Sequence, residues 1–327
     1  MPVPLSILDL ATVAPDGSVA DTFAASVDLA QHAERWGYTR YWFAEHHNMP
    51  SIASSATSVL IGHIAGATST IRVGAGGIML PNHSPLVIAE QFGTLATLYP
   101  GRIDLGLGRA PGGDPNVMVA LRRDRAAAER FPQDVVELQA LLGDSAPHQL
   151  VRAIPGEGTR VPLIILGSSL FGAKLAAALG LPYSFASHFA PAALEDAVRA
   201  YRREYQPSAE HPEPYVIAAM NVFAADTDGA ARAVYEETLR QRVVGLVRPG
   251  VSVSPDDADA LLASPAGQQV RQMLRYSAVG TAETVREQVA DFARHADADE
   301  LIVATSAAPA ERLRSYELLA QAWGLAG

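Results

Sequence analysis

Short runs of β-branched and other apolar residues alternate along this chain with stretches whose apolar positions recur every three or four residues. The first run, residues 5–10, leads into a helical pattern over 21–36. There Phe23, Val27, Ala30 and Ala33 share one face, Asp21 reads as the N-cap and Gly37 as a left-handed C-cap. Further runs at 41–44, 71–75, 103–108, 162–166, 183–186, 215–223 and 301–305 repeat the alternation. The helical patterns behind them cover 54–67, 85–98, a stretch opening at Pro132 with Val135, Leu138 and Leu142 in phase, 171–179, 192–205, 229–241 and 310–323. Residues 54–67 are apolar almost all round, so that helix cannot face water broadly.

Strands separated by helices imply a parallel sheet. A count of eight favours a closed (β/α)8 TIM barrel, within the α/β class, over an open doubly wound sheet. No linker or internal repeat divides the chain, so residues 1–327 read as one domain. The connection from the seventh strand to the eighth is too long for one helix. It holds Arg248-Pro249-Gly250, Pro255-Asp256-Asp257 and a helical pattern after Thr281 carrying Val285, Val289 and Phe292. Residues 242–278 therefore read as an insertion over one barrel end, a lid by expectation.

Hydrophobic residues make up 49% of the chain and charged residues 18%, enough to bury a large core and to exclude a disordered protein. A net charge of −10 is the wrong sign for a general nucleic-acid binder. The absence of cysteine excludes disulfides, thiolate nucleophiles, zinc ribbons and iron–sulfur clusters. Lys174, the single lysine, sits mid-helix among apolar residues and suits Schiff-base chemistry poorly. No apolar run approaches the ~18 residues of a membrane span. The opening Met1-Pro2-Val3-Pro4-Leu5 lacks a basic n-region, so the expected location is the cytoplasm, away from membranes.

Barrel chemistry lies at the C-terminal ends of the strands. In order these ends carry Glu45-His46-His47, Gly76-Gly77 and then Asn82-His83, Gly106-Leu107-Gly108-Arg109 continuing to Gly112-Gly113, Gly167-Ser168-Ser169, Ser187-His188, and Thr305-Ser306. His46 and His47 read either as chemistry or as caps of a polar strand end. Neither His-x-His nor His-Glu-x-x-His spacing occurs, so no metal is expected. Gly106-x-Gly108-x-x-Pro111 falls short of a dinucleotide fingerprint, because its third position is proline and no helix pattern starts there. Arg109 is either an anion fork or one half of a surface ion pair. Gly167-Ser168-Ser169 opens a helix and reads either as an ordinary cap or as a phosphate cradle. Arg109 and this helix start follow neighbouring strands, so one phosphate can touch both. Gly76-Gly77 reads as a bulge, or as bare backbone on which a planar ring rests.

Taken in order, several of these segments resemble the bacterial luciferase-like flavin monooxygenases. They are Tyr41-Trp42-Phe43-Ala44-Glu45-His46-His47, residues 72–81, Gly106-Leu107-Gly108-Arg109, Gly167-Ser168-Ser169, Gly180-Leu181-Pro182 and Val279-Gly280-Thr281-Ala282-Glu283. The resemblance covers most of the chain and is weakest at 242–278. It implies a TIM barrel, usually dimeric, that binds FMN or the deazaflavin F420. Arg109, Gly167, Ser168 and Ser169 would then hold the flavin phosphate. Gly76 and Gly77 would flank a non-prolyl cis peptide under the ring, and His46 would assist proton transfer. The implied activity is that of a two-component monooxygenase. A partner flavin reductase supplies reduced FMN, which meets O2 to form a C4a-hydroperoxyflavin and oxygenates a small organic substrate. An F420-dependent hydride-transfer enzyme and a flavin-binding protein without turnover remain as alternatives. Ile7, Phe43, Ile78 and Met79 are expected to line an apolar mouth. Gly108 stands where luciferase itself has cysteine, so light emission is not implied.

Overall fold

The computed structural model describes residues 2–14, 17–110, 115–123, 125–145 and 149–325; Pro111, Gly112 and Gly113 lie outside them. In its first half the order is β1 (Leu5–Asp9), α1 (Val19–Trp36), β2 (Arg40–Phe43), α2 (Thr57–Ala67), β3 (Arg72–Met79), α3 (Pro85–Leu98), β4 (Ile103–Gly108), α4 (Pro115–Ala120), α5 (Phe131–Leu142) and β5 (Leu163–Gly167). The second half runs through α6 (Leu170–Leu179), β6 (Tyr183–Phe185), α7 (Leu194–Glu204), β7 (Val216–Ala224), α8 (Asp228–Val247), α9 (Pro255–Ala263), α10 (Pro265–Met273), β8 (Ser277–Gly280), α11 (Ala282–His295), β9 (Glu300–Ala304) and α12 (Pro309–Trp323).

All strand pairs are parallel. The ladder β1-β2-β3-β4-β5-β6-β7-β9 closes on itself through β1 and β9, an eight-stranded TIM barrel. The ninth strand, β8, pairs only with the far end of β7, Asn221↔Ser277 through Ala224↔Gly280. The alternation did not reveal it, because Ser277-Ala278-Val279-Gly280 is too short and too small to stand out. Nor does Arg242 begin the insertion, since α8 runs on to Val247. Beyond it α9 and α10 fold back and share a core with α8 through Leu239, Val243, Leu262, Val270 and Leu274. At α1, Ser18 is the N-cap and Asp21 is N3 of a capping box; Gly37 closes the helix at φ 85°. Among the described residues no helix is long and apolar enough to cross a membrane.

The eight barrel strands are largely buried on both faces, so their residues feed two cores in alternation. Leu8, Trp42, Ala44, Ile164, Ile217, Ala219, Ile302 and Ala304 meet one another in the lumen. Ile7, Phe43 and Ile78 join the core between barrel and helices instead, which corrects the expectation that they line the mouth. Apolar residues on both faces hid the phase of the strands.

Below the apolar lumen lies a charged layer at the N-terminal ends of the strands. Arg40 reaches Asp104 at 2.8 Å and Glu300 at 2.9 Å, and Arg72 pairs with Asp104. Ser6 and Tyr215 donate to Glu300 at 2.5 and 2.8 Å, and Trp42 Nε1 donates to Asp104 at 3.1 Å. Both carboxylates are fully buried. Burial alone would lower the Arg40 guanidinium, but Asp104 and Glu300 beside it raise it overall.

Removing one member of such a network strands a buried charge. Asp104→Ala is expected to cost about 3–5 kcal/mol in urea unfolding. The exposed Asp144→Ala is expected to stay within about 0.5 kcal/mol of the parent. Equal midpoints for the two variants would contradict this role for the charged layer.

Candidate active site

The C-terminal mouth is built around Glu45, just past β2 and 1% exposed. Its Oε1 sits 2.7 Å from His47 Nε2 and 2.9 Å from His83 Nε2, and its Oε2 accepts the Met79 N–H at 3.0 Å. Its own backbone N–H donates to the Gly77 carbonyl at 3.3 Å. Burial pushes the Glu45 carboxyl up, but these hydrogen bonds and the nearby imidazole charge bring it below its ordinary value. The Glu45 hydrogen bond raises His47 in turn, against the opposing effect of burial. Among the described residues Glu45, His47 and His83 are the one group with the geometry to hold a metal ion. Both Nε2 atoms are turned to the same carboxylate oxygen, and the group reads as a staple joining the ends of β2 and β3.

That staple secures Gly76 and Gly77. The peptide between them is cis, the conformation the resemblance implies, and the β3–β4 register shifts there between Ala75 and Ile78. The shift also bears out the bulge reading of these glycines. A Cβ on Gly76 would lie 2.9 Å from Leu8 and 3.0 Å from Trp42, and one on Gly77 would lie 2.7 Å from the Gly106 carbonyl. Packing from inside the barrel wall therefore leaves no room for a Cβ on Gly77, where the Gly106 backbone blocks it, and only tight room on Gly76 beside the Leu8 and Trp42 side chains. Both residues stay partly open at the mouth.

Across the mouth, β4 and β5 run side by side, with Gly108 opposite Leu166. Arg109 follows β4 directly, and its guanidinium stacks 4.0 Å from the centre of the Phe171 ring in the first turn of α6. Ser169 is the N-cap of α6, yet its hydroxyl makes no capping bond; Ser168 and Ser169 are exposed. The leading N–H groups of the helix thus keep their hydrogen-bonding capacity. Among the described residues Arg109 has no carboxylate partner, so nothing described there supports the alternative of a surface ion pair. A cavity of about 320 Å3 does lie beyond β7 and β9, where other barrels often bind phosphate. Asp226 and Glu311 line it, and its Arg314 is already paired with Asp226 and Glu317. That charge disfavours phosphate.

His46 is half-buried and makes no hydrogen bond among the described residues. Burial lowers it below its ordinary value; Glu45 pulls it upward, and His47 and Arg242 push it down. At neutral pH it is a neutral imidazole that can accept a proton. Two further side chains that the sequence did not single out as site residues are linked to it electrostatically. His188, after β6, is 7% exposed with an Nδ1 that has no partner. Its loop is tied down by Asn221 donating to the His188 carbonyl at 2.7 Å. Arg242, on α8, acts electrostatically on both imidazoles. His188 stood among the strand-end residues of the sequence but received no role there; Arg242, within a helix of an irregular segment, offered no signal.

The luciferase-like monooxygenase family model matches residues 3–299. A luciferase-like monooxygenase of Escherichia coli is 48% identical over 321 residues, 97% of this chain and 96% of the relative. An N-acetyl-S-alkylcysteine monooxygenase of Bacillus subtilis is 39% identical over 225 residues, 66% of this chain and 67% of its own. The crystal structure of apo-MsnO8 superposes with a TM-score of 0.90 at 35% identity, covering 99% of both chains. The same fold extends to an FMN complex of the oxygenating constituent of 3,6-diketocamphane monooxygenase from Pseudomonas putida (TM-score 0.75, 18% identity, 98% and 97% covered). It extends also to an F420-dependent secondary alcohol dehydrogenase (TM-score 0.68, 16% identity, 99% of both chains covered).

Burial, with Arg242 and His46 adding to it, lowers His188 to about 3. Between the ordinary histidine value near 6.5 and that value, the unfolded chain binds a proton that the native chain refuses. The His188 contribution is therefore complete above about pH 6.5 and declines as pH falls, by up to about 1.4 kcal/mol per pH unit. Urea unfolding at pH 7, 6, 5 and 4 should show this slope, and His188→Asn should flatten it. Parallel curves for the two proteins would contradict the assignment.

Proposed function

This chain belongs to the luciferase-like monooxygenase family, and from that premise we propose that it is a flavin-dependent oxidoreductase, a two-component monooxygenase that uses FMN reduced by a separate flavin reductase. The observation that carries the reading is the convergence of the unpaired Arg109 and the uncapped start of α6. An exposed guanidinium beside free helix N–H groups matches the terminal phosphate of a flavin nucleotide. Gly167, Ser168 and Ser169 would complete that cradle. Gly76 and Gly77, partly open at the mouth and held by Glu45, would support the ring. The similarity to proteins named monooxygenases at 48% and 39% identity favours oxygen chemistry over hydride transfer to or from F420.

Reduced FMN, when bound, supplies the electrons that activate O2. His46, neutral and without a hydrogen-bond partner among the described residues, holds or passes a proton at an imidazole nitrogen. Leu8, Trp42 and Ala44 fill the lumen beneath and keep water from entering from below. We further propose that the helices α8, α9 and α10, which pack on one another through their own core, act as a lid over the mouth. The substrate is a small organic molecule. We also propose a homodimer and a cytoplasmic location. The adjoining outer faces of α2 and α3, with exposed Val59, Val87 and Leu98, offer an apolar, weakly charged contact surface.

Titration with FMN and, in parallel, F420 tests the cofactor. FMN is expected to bind, and Arg109→Ala to weaken it about tenfold or more; unchanged affinity would remove the phosphate site. His46→Ala is expected to keep FMN affinity and lose about 10²-fold or more in turnover. Full activity in that variant would overturn the proton role. Leu98→Glu is expected to halve the mass in light scattering if α2 and α3 form the dimer contact.

A further inference from the structure

Glu45, His47 and His83 meet at the mouth through a single oxygen atom. Glu45 and His47 follow β2, and His83 follows β3 through a 3-10 turn, Leu80–Asn82, whose three residues are buried. The Nε2 atoms of His47 and His83 lie 2.7 and 2.9 Å from the same Glu45 Oε1. The ligand atoms of the three side chains all fall within 4.8 Å of one another. Glu45 Oε2 is held by the Met79 N–H at 3.0 Å, which fixes the plane of the carboxylate. Glu45 is buried, whereas the His47 and His83 side chains are 18% and 27% exposed. The group is thus closed behind the carboxylate and open on the imidazole side.

We propose that Glu45, His47 and His83 form a binding site for a divalent transition-metal ion of the zinc type. Two imidazoles and a carboxylate are a donor set such an ion takes, and three protein ligands leave a fourth position for water from the open side. The ion takes the place of the two N–H links to Oε1. Each Nε2 gives up its proton, to Nδ1 or to solvent, and turns its lone pair to the metal. Donor atoms around a tetrahedral zinc ion stand about 3.3 Å apart, so the imidazoles withdraw from Oε1 by only about half an ångström. The Met79 N–H is then the outer hydrogen bond that orients the ligating carboxylate. No metal-binding spacing marks this site in the sequence, because His83 arrives from the neighbouring strand. The role is structural: one ion ties the ends of β2 and β3, on either side of which Gly76 and Gly77 are held, more firmly than two hydrogen bonds. No flavin group takes part, so the inference stands apart from the cofactor reading.

The test uses the full chain, freed of metal by dialysis against a chelator, without flavin and labelled with 15N at histidine; zinc chloride is the probe. Titration calorimetry is expected to show one saturable ion per chain. The 15N spectrum is expected to place it, with the His47 and His83 Nε2 resonances moving and that of the exposed His63 staying. Zinc should also raise the thermal midpoint of the parent. His47→Ala and His83→Ala should each weaken binding about tenfold or more, the loss expected even of an outer-sphere partner, while His63→Ala keeps it. Circular dichroism checks that the variants fold, and the parent spectrum decides the matter if they do not. Absence of saturable binding, unchanged affinity in His83→Ala, or shifts confined to other histidines would overturn the site.

Discussion

The burial of Asp104 and Glu300 at the floor of the barrel constrains everything above them. Two carboxylates without solvent contact are tolerable only because Arg40 and Arg72 reach them from β2 and β3, with Ser6, Trp42 and Tyr215 supplying the remaining donors. Those residues come from β1, β2, β3, β4, β9 and the lead into β7. The charged layer thus ties most of the barrel circumference in one register, as a purely apolar plug would not. Trp42 carries the constraint upward, donating to Asp104 below and packing against the lumen side of Gly76 above.

At the other end of the barrel a second carboxylate plays a similar part on a smaller scale. Glu45 collects two imidazoles and two backbone contacts, which leaves the β2 and β3 ends no freedom to separate. His46 lies between residues committed to this staple or to the wall, and is itself left without a partner. Polar groups satisfied on all sides fix a scaffold; the groups left unsatisfied mark where a ligand belongs. Arg109 stacked on Phe171, the uncapped start of α6 and the orphaned Nδ1 of His188 are such places.

Much of this was legible in the chain because the signals are local. The strand–helix alternation, the exact span of α3, the left-handed Gly37 and the nearness of Arg109 to the start of α6 follow from periodicity, caps and strand order. The phase of the strands was not legible. Residues 41–44 are apolar on both faces, and nothing local says that Trp42 rather than Phe43 turns into the lumen. Nor was the packing around Gly76 and Gly77 legible. The sequence suggested a bulge or bare backbone under a ring; the atoms that crowd a Cβ from within the wall belong to Leu8, Trp42 and Gly106 on three other strands.

The amino-acid order by itself determined the barrel class and most strand-end residues that could do chemistry, because each depends on neighbours within a few positions along the chain. Only the tertiary structure decided that β8 exists as a side strand on β7, that α8, α9 and α10 share a core, and that His188 is buried with an Nδ1 that has no partner. The residues that meet in each case carry no mutual pattern in the chain. Their meeting follows from barrel closure and from the packing of α8 against the insertion, which are properties of the whole fold.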